Sequence, residues 1–239
     1  MRAAFTLSVL LLAACGDGGP AAGSGGESAS MQNRAQAETP TRSGVASAAA
    51  STDEAADPAE PVEYAPGEQL LAGAPPGWKE AFASEAPGLR MAEFIPEDES
   101  IESWTRKITF ESSAGAPLPD PIEFVKGISK DQEGTCEGFE SFSTFSGFEN
   151  GYPTSVHLLV CHHSRIIDRS QVTMLKAIQG NERFFVITRA LRGPPMEEGT
   201  RVISADDIAA WSLYLRSITL CDPGRAGHPC EKSTAAEPV

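Results

Sequence analysis

The 239-residue chain carries 33 Asp and Glu against 19 Lys and Arg, a formal net charge of −14 at pH 7. A surface of that sign repels phosphate backbones and anionic lipid headgroups, which excludes nucleic acid as an expected partner. Beyond its first residues the chain has no stretch apolar enough to cross a membrane.

The chain opens MRAAFTLSVLLLAACGDGG. Arg2 supplies a positive charge, residues 3–12 form an apolar run too short for a stable span, and small residues lead to Cys15. That is the pattern of a secretory signal. Leu12-Ala13-Ala14-Cys15 resembles the lipobox of bacterial lipoproteins. The resemblance implies removal of residues 1–14 and lipid on the sulfur and new amino group of Cys15. Several acyl chains make a firm anchor, since each buried methylene adds about 0.8 kcal/mol. Gly16, not Asp, follows the cysteine, which under the enterobacterial sorting rule implies the outer rather than the inner membrane.

Residues 15–60 follow as a tether rich in Ala, Gly, Ser and acidic residues, with no aromatic, Leu or Ile. Such a segment cannot bury enough apolar surface to offset its ordering entropy, and a disordered spacer is expected. As a flexible coil its ends would lie about 35–40 Å apart. From residue 61 to residue 230 the composition changes to that of a single folded domain, and residues 231–239 read as a loose tail.

Within the domain, residues 78–83 and 89–95 form a candidate strand pair. Glu97, Asp98 and Glu99 then make an acidic cluster, read as a solvated turn into a short helical segment at residues 100–103. Residues 104–110 alternate: Trp104, Arg106, Ile108 and Phe110 face one way, Thr105, Lys107 and Thr109 the other, as in a half-buried strand. Asp120-Pro121-Ile122-Glu123 supplies an N-cap, a first-turn proline and a capping-box carboxylate, and Ile122, Val125 and Ile128 continue at helical spacing. Residues 140–148 and 152–163 flank Asn150-Gly151, a type I′ hairpin signal. Residues 171–179 and 183–191 flank Gly180-Asn181, a second hairpin signal. Ser204 caps a last helix whose Ile208, Trp211, Leu215 and Ile218 form one apolar stripe. The expected fold is α+β: an antiparallel sheet of about five to seven strands with two main helices packed on it, preceded by the disordered linker.

The segments EFIPEDESIESWTRKITF (residues 93–110), NGYPTSVHLLVC (residues 150–161) and KAIQGNERFFVITRALR (residues 176–192) resemble motifs of small exported proteobacterial domains of unestablished function. The order of elements is also similar to the PsbP-like fold, an antiparallel sheet with helices on its faces. That resemblance implies a binding or assembly accessory, and it brings no catalytic residues.

Setting Cys15 aside, Cys136, Cys161, Cys221 and Cys230 remain, and an even number in an exported protein reads as disulfides with three possible pairings. Cys221 and Cys230 bracket a turn-rich segment that closes easily, which favours Cys221–Cys230 with Cys136–Cys161. In a regular strand His157 and His163 share a face but lie about 20 Å apart, while His162 points the other way. Zinc–nitrogen bonds of about 2.0–2.1 Å cannot join them. The three histidines therefore read as strand-surface or strand-end residues, so that replacing His162 and His163 together should leave the fold nearly intact. His228 could still contribute to a site.

No Gly-x-Ser-x-Gly elbow, His-Glu-x-x-His or phosphate loop occurs. The expectation is a lipid-anchored periplasmic binding or assembly-accessory domain with no catalytic residues, metal or cofactor. It would be held at the membrane by its N-terminal lipid and partnered by a protein of the cell envelope. The alternative is a periplasmic hydrolase or metal-dependent enzyme assembled from His162, His163 and nearby carboxylates. A deep pocket gathering two or more of His157, His162, His163 and His228 with carboxylates would favour the enzyme. A shallow apolar groove or an exposed sheet edge would favour binding.

Overall fold

The computed structural model describes residues 66–230. The signal segment, Cys15, the tether and the tail lie outside the described residues. In chain order the elements are β1 (Gln69–Leu71), β2 (Trp78–Ala86), β3 (Leu89–Pro96), β4 (Arg106–Ala114), α1 (Pro121–Glu133), β5 (Cys136–Glu149), β6 (Tyr152–Ser164), β7 (Arg169–Gln179), β8 (Arg183–Gly193), α2 (Ala205–Ser217) and β9 (Thr219–Cys221). Seven strands form one antiparallel sheet in the order β2-β3-β4-β8-β7-β6-β5. β1 and β9 pair as a separate ribbon, Leu70 opposite Leu220.

Local chemistry accounts for these elements. Asn150 and Gly151 both take positive φ, 45° and 80°, as a type I′ turn requires, and join β5 to β6. The β6–β7 turn has neither Gly nor Pro. Asp168 supplies its left-handed residue, at φ 51°, and its N–H closes the turn on the Ser164 carbonyl at 2.8 Å. Asp120 caps α1, its carboxylate accepting from the N–H groups of Ile122 and Glu123 at 2.9 and 3.0 Å. Glu123 itself pairs with Lys126 at 2.7 Å. Ser204 caps α2 by accepting from the Asp207 N–H at 3.0 Å.

The two helices cover opposite faces of the sheet. Val156, Leu158, Val160, Val172, Met174, Phe185 and Ile187 pack with Trp211, Leu215 and Ile218 from the α2 side. Leu175, Ala177, Phe184 and Val186 pack against Val125 of α1 on the other. β7 and β8 are thus buried on both faces, which is why residues 172–178 read as an almost continuous apolar run. The exceptions are Thr173 and Lys176, and Lys176 is fully buried on the α2 side.

Two expectations need correction. Strand pairing begins at Arg106, not at residue 104. The carboxylate of Glu99 accepts from the N–H groups of Thr105 and Arg106 at 2.6 and 3.1 Å, so the chain bends there before the ladder starts. Trp104 is buried below the strand, under the cations of Arg192 and Lys107. Residues 100–103 form a turn instead of a helical segment, closed by Ser103 N–H to the Ser100 carbonyl at 3.2 Å. The β1–β9 ribbon was not anticipated, because three-residue strands are too short to carry a period.

Candidate functional site

The structure places the four histidines of the chain in four different surroundings. β6 carries a bulge against β7: Cys161 pairs with Gln171 but Ser164 pairs with Arg169, so His162 and His163 together oppose Ser170. The two imidazoles still part. His162 is buried, its Nδ1 2.7 Å from the Gly138 carbonyl and its Nε2 3.1 Å from the Thr200 carbonyl. The segment after β8 covers it, with the Met196 N–H donating to the His162 carbonyl at 3.0 Å. The reading of His162 as a surface residue is therefore wrong: the bulge and the covering segment take it inside. His163 is partly exposed to water and lies between Asp168 and Glu137, at 2.8 and 3.1 Å. Those hydrogen bonds, that to Asp168 first, raise its pKa above the ordinary histidine value.

His157 sits on the α1 side of β6, with Nε2 3.0 Å from Ser155 Oγ and a buried Nδ1 that has no hydrogen-bond partner. Burial lowers its pKa. His228 stacks on the Tyr152 ring, centroids 4.0 Å apart, and its Nδ1 contacts the Asn150 carbonyl at 2.9 Å. This pair lines an open cleft of about 760 Å³ with Gln179, Asn181 and Glu182. Burial first, then the negative charge of Glu68, pushes the Tyr152 phenol up to about 12. No other histidine reaches this cleft. Among the described residues no group of three His, Cys, Asp or Glu side chains could hold a metal ion.

Cys136 is joined to Cys161 and Cys221 to Cys230. The first bridge ties the start of β5 to β6, and the second closes the loop after β9. Such crosslinks belong to an oxidising, extracytoplasmic compartment. No helix among the described residues is long and apolar enough to cross a membrane. In the acidic cluster Glu99 serves the strand start. Burial pushes its carboxyl up, but the hydrogen bonds from Thr105 and Arg106 outweigh that and leave it below the usual range.

One exposed sheet edge stands out. β5 pairs with β6 and, among the described residues, has no strand on its other side. Residues 141–146 are exposed on both faces, and Phe142, Phe145 and Phe148 are 48%, 38% and 72% exposed. Phe142 opposes Leu158 and Phe145 opposes Val156, so both lie on the α2 face; Phe148, opposite Pro153, lies on the α1 face. The opposite edge, β2, is guarded by Lys79, Glu80 and Glu85 and by a bulge. β5 has a bulge at Thr144 but no Lys, Arg or Pro, the residues that most often block edge pairing. Beside it runs a groove of about 360 Å³ between α1 and the strand. Lys126, Ser129, Lys130 and Glu133, one helical stripe, form its wall; Phe139 and Ser141 of β5 and His157 of β6 line the rest.

These phenylalanines were missed in the sequence, although their spacing was visible: Phe139, Phe142, Phe145 and Phe148 recur every third residue. A period of three fits neither face of a strand, so some of the rings must remain uncovered unless both faces are packed.

No family model matches the chain, and no match arises among curated proteins. Among solved structures it is similar to the Ran-binding protein Mog1p of Saccharomyces cerevisiae, with a TM-score of 0.36 and 11% identity over 63% of this chain and 85% of that one. At that level of likeness nothing about partner or activity passes from one protein to the other.

Proposed function

We propose that this chain is a lipid-anchored periplasmic domain that acts by binding a cell-envelope protein and has no chemistry of its own. The observation that carries the reading is the β5 edge, with six consecutive exposed positions, exposed Phe142 and Phe145 on one face and exposed Phe148 on the other. Contiguous exposed apolar groups beside unpaired backbone are the usual mark of a protein-binding surface. The signal pattern and Cys15 support export and acylation, and the two disulfides support an oxidising compartment. Gly16 favours the outer membrane. The burial of His162, with Glu140 3.7 Å away, and the separate placing of His163 between Glu137 and Asp168 support binding over a joint catalytic pair.

The test is photo-crosslinking in native membranes, with a benzoyl-phenylalanine at Phe142 or, as a control, at the exposed Leu213 of α2. A discrete protein adduct from Phe142 and none from Leu213 is expected. Equal adducts from both positions, or none from Phe142, would defeat the reading.

A further inference from the structure

We infer that the groove between α1 and β5 takes an extended segment of the partner protein in which carboxylate side chains alternate with apolar ones. This deepens the binding reading above and rests on it. An added strand hydrogen-bonds to the free edge of β5, and its side chains then alternate between the two sheet faces. The bulge at Thr144 ends the regular ladder, so pairing falls along residues 139–143. On one face of that stretch stand Lys126 and Lys130, two cations against the single carboxylate of Glu133 at the end of the same helical stripe, with the hydroxyls of Ser129 and Ser141 3.2 Å apart between helix and strand. Lys130 has no ion-pair partner among the described residues, while Lys126 is shared with Glu123. The unpartnered Nδ1 of His157 adds one more polar position to the lining. On the other face Phe142 is the apolar contact. Acidic side chains therefore suit the helix side and apolar ones the Phe142 side.

Charge argues against a second copy as the occupant. Within residues 139–143 Glu140 is the one acid, and it lies with Phe142 on the α2 face, so a second copy's edge would bring Phe139, Ser141 and Ser143 but no carboxylate to Lys126 and Lys130.

The probes are two acetylated octapeptides, one alternating Glu with Val and the other Lys with Val, added to the full chain. Hydrogen exchange of residues 139–143 and peptide fluorescence are the readouts. The Glu–Val peptide should slow exchange in that stretch, bind more weakly as salt rises, and bind the Lys126→Glu, Lys130→Glu variant about tenfold more weakly. Both lysines are exposed on the outer flank of α1, so unchanged exchange elsewhere will show that the variant is folded. Equal binding of the two peptides, preference for Lys–Val, protection by neither, or indifference to the charge reversal overturns the inference. So does sedimentation as a dimer with the same stretch protected, which would make a second copy the occupant. The Phe142 crosslink separates the two claims: if it succeeds while the peptides fail, the acidic segment is wrong and the binding edge stands; if it fails, both fall.

Discussion

Lys176 of β7 reaches across β6 to the Glu149 carboxylate at the end of β5, and its ammonium donates to the Leu215 and Ile218 carbonyls at 2.8 Å each. One buried cation thus joins the end of α2 to two strands, β7 and β5. Removing it leaves Glu149 and two carbonyls without their donor. Lys176→Ala should lower unfolding free energy by about 3–5 kcal/mol, the usual effect of breaking a buried pair from one side. Lys176→Met, which keeps the volume, should lose less. Glu149 is partly open to water and can rehydrate, so Glu149→Gln should lose less again. Urea titration of the three variants checks the order. Burial pushes the Lys176 pKa below its ordinary 10.5, against the upward pull of Glu149. The folded state therefore holds this proton less tightly than the unfolded chain. Its contribution to stability should rise with pH between the folded value and 10.5.

His162 and His163 should respond differently to alanine. His162→Ala leaves the Gly138 and Thr200 carbonyls facing a void and should destabilise by about 2–4 kcal/mol. His163→Ala removes only contacts at the surface and should shift the thermal midpoint far less. Comparable losses from the two, measured by thermal unfolding, would contradict the burial described for His162.

The same strand should show two separated histidine titrations. Burial holds His157 below the ordinary histidine value of 6.5, and hydrogen bonds to Asp168 and Glu137 hold His163 above it. The His163 contribution is present below pH 6.5 and is lost as pH rises through its raised folded value. His157 acts the other way: stability falls as pH drops from 6.5 through its lowered folded value. Two-dimensional NMR titration of the imidazole resonances should place His163 above His157.

Much of the sheet was legible because its signals are local. Asn150-Gly151 carries its turn in two residues, Asp120-Pro121 carries a helix start, and the stripe ending at Ile218 carries the packed face of α2. The order of strands was not legible. Nothing local says that β4 pairs with β8, and only that pairing leaves β5 at an edge. The exposed phenylalanines could not be recognised as exposed until the edge was known. His162 failed for a related reason: its burial depends on Thr200 and Met196, which arrive from beyond β8. The bulge that moves it out of register involves no Gly or Pro that would have marked it.

The disulfides should contribute unequally. Cys136–Cys161 spans a sequence separation of 25 and Cys221–Cys230 one of 9. The chain-entropy model assigns about 3.5 kcal/mol to the larger loop and about 2.7 kcal/mol to the smaller. Replacing each pair by alanines and measuring urea midpoints should rank them in that order. A reversed ranking would show that the small loop does more than restrict the unfolded chain. The loop of Cys221–Cys230 gives that outcome a physical basis, since Asn150 Nδ2 donates to the Leu220 and Pro229 carbonyls at 2.9 and 3.0 Å.

The β5 edge predicts a separation of stability from binding. Phe142 and Phe145 sit on the α2 face at the margin of the sheet, where each keeps more than a third of its surface in water. Phe145 lies back along its own strand, close enough that a Cβ at Gly147 would stand 3.2 Å from its ring. Neither ring fills a core position, so little hydrophobic stabilisation is lost when they are replaced. Phe142→Asn with Phe145→Asn should change unfolding free energy by no more than about 1 kcal/mol, the sum of two ordinary surface substitutions. The same pair should abolish the membrane crosslink when the photoreactive residue is moved to the exposed Ser143. Val125→Asn, on the buried face of α1, is the opposite control. It should unfold the domain and remove the crosslink through loss of structure. A Phe142, Phe145 variant that is destabilised as severely as Val125→Asn would show the two rings to be part of the core, and the edge would lose its standing as a binding surface.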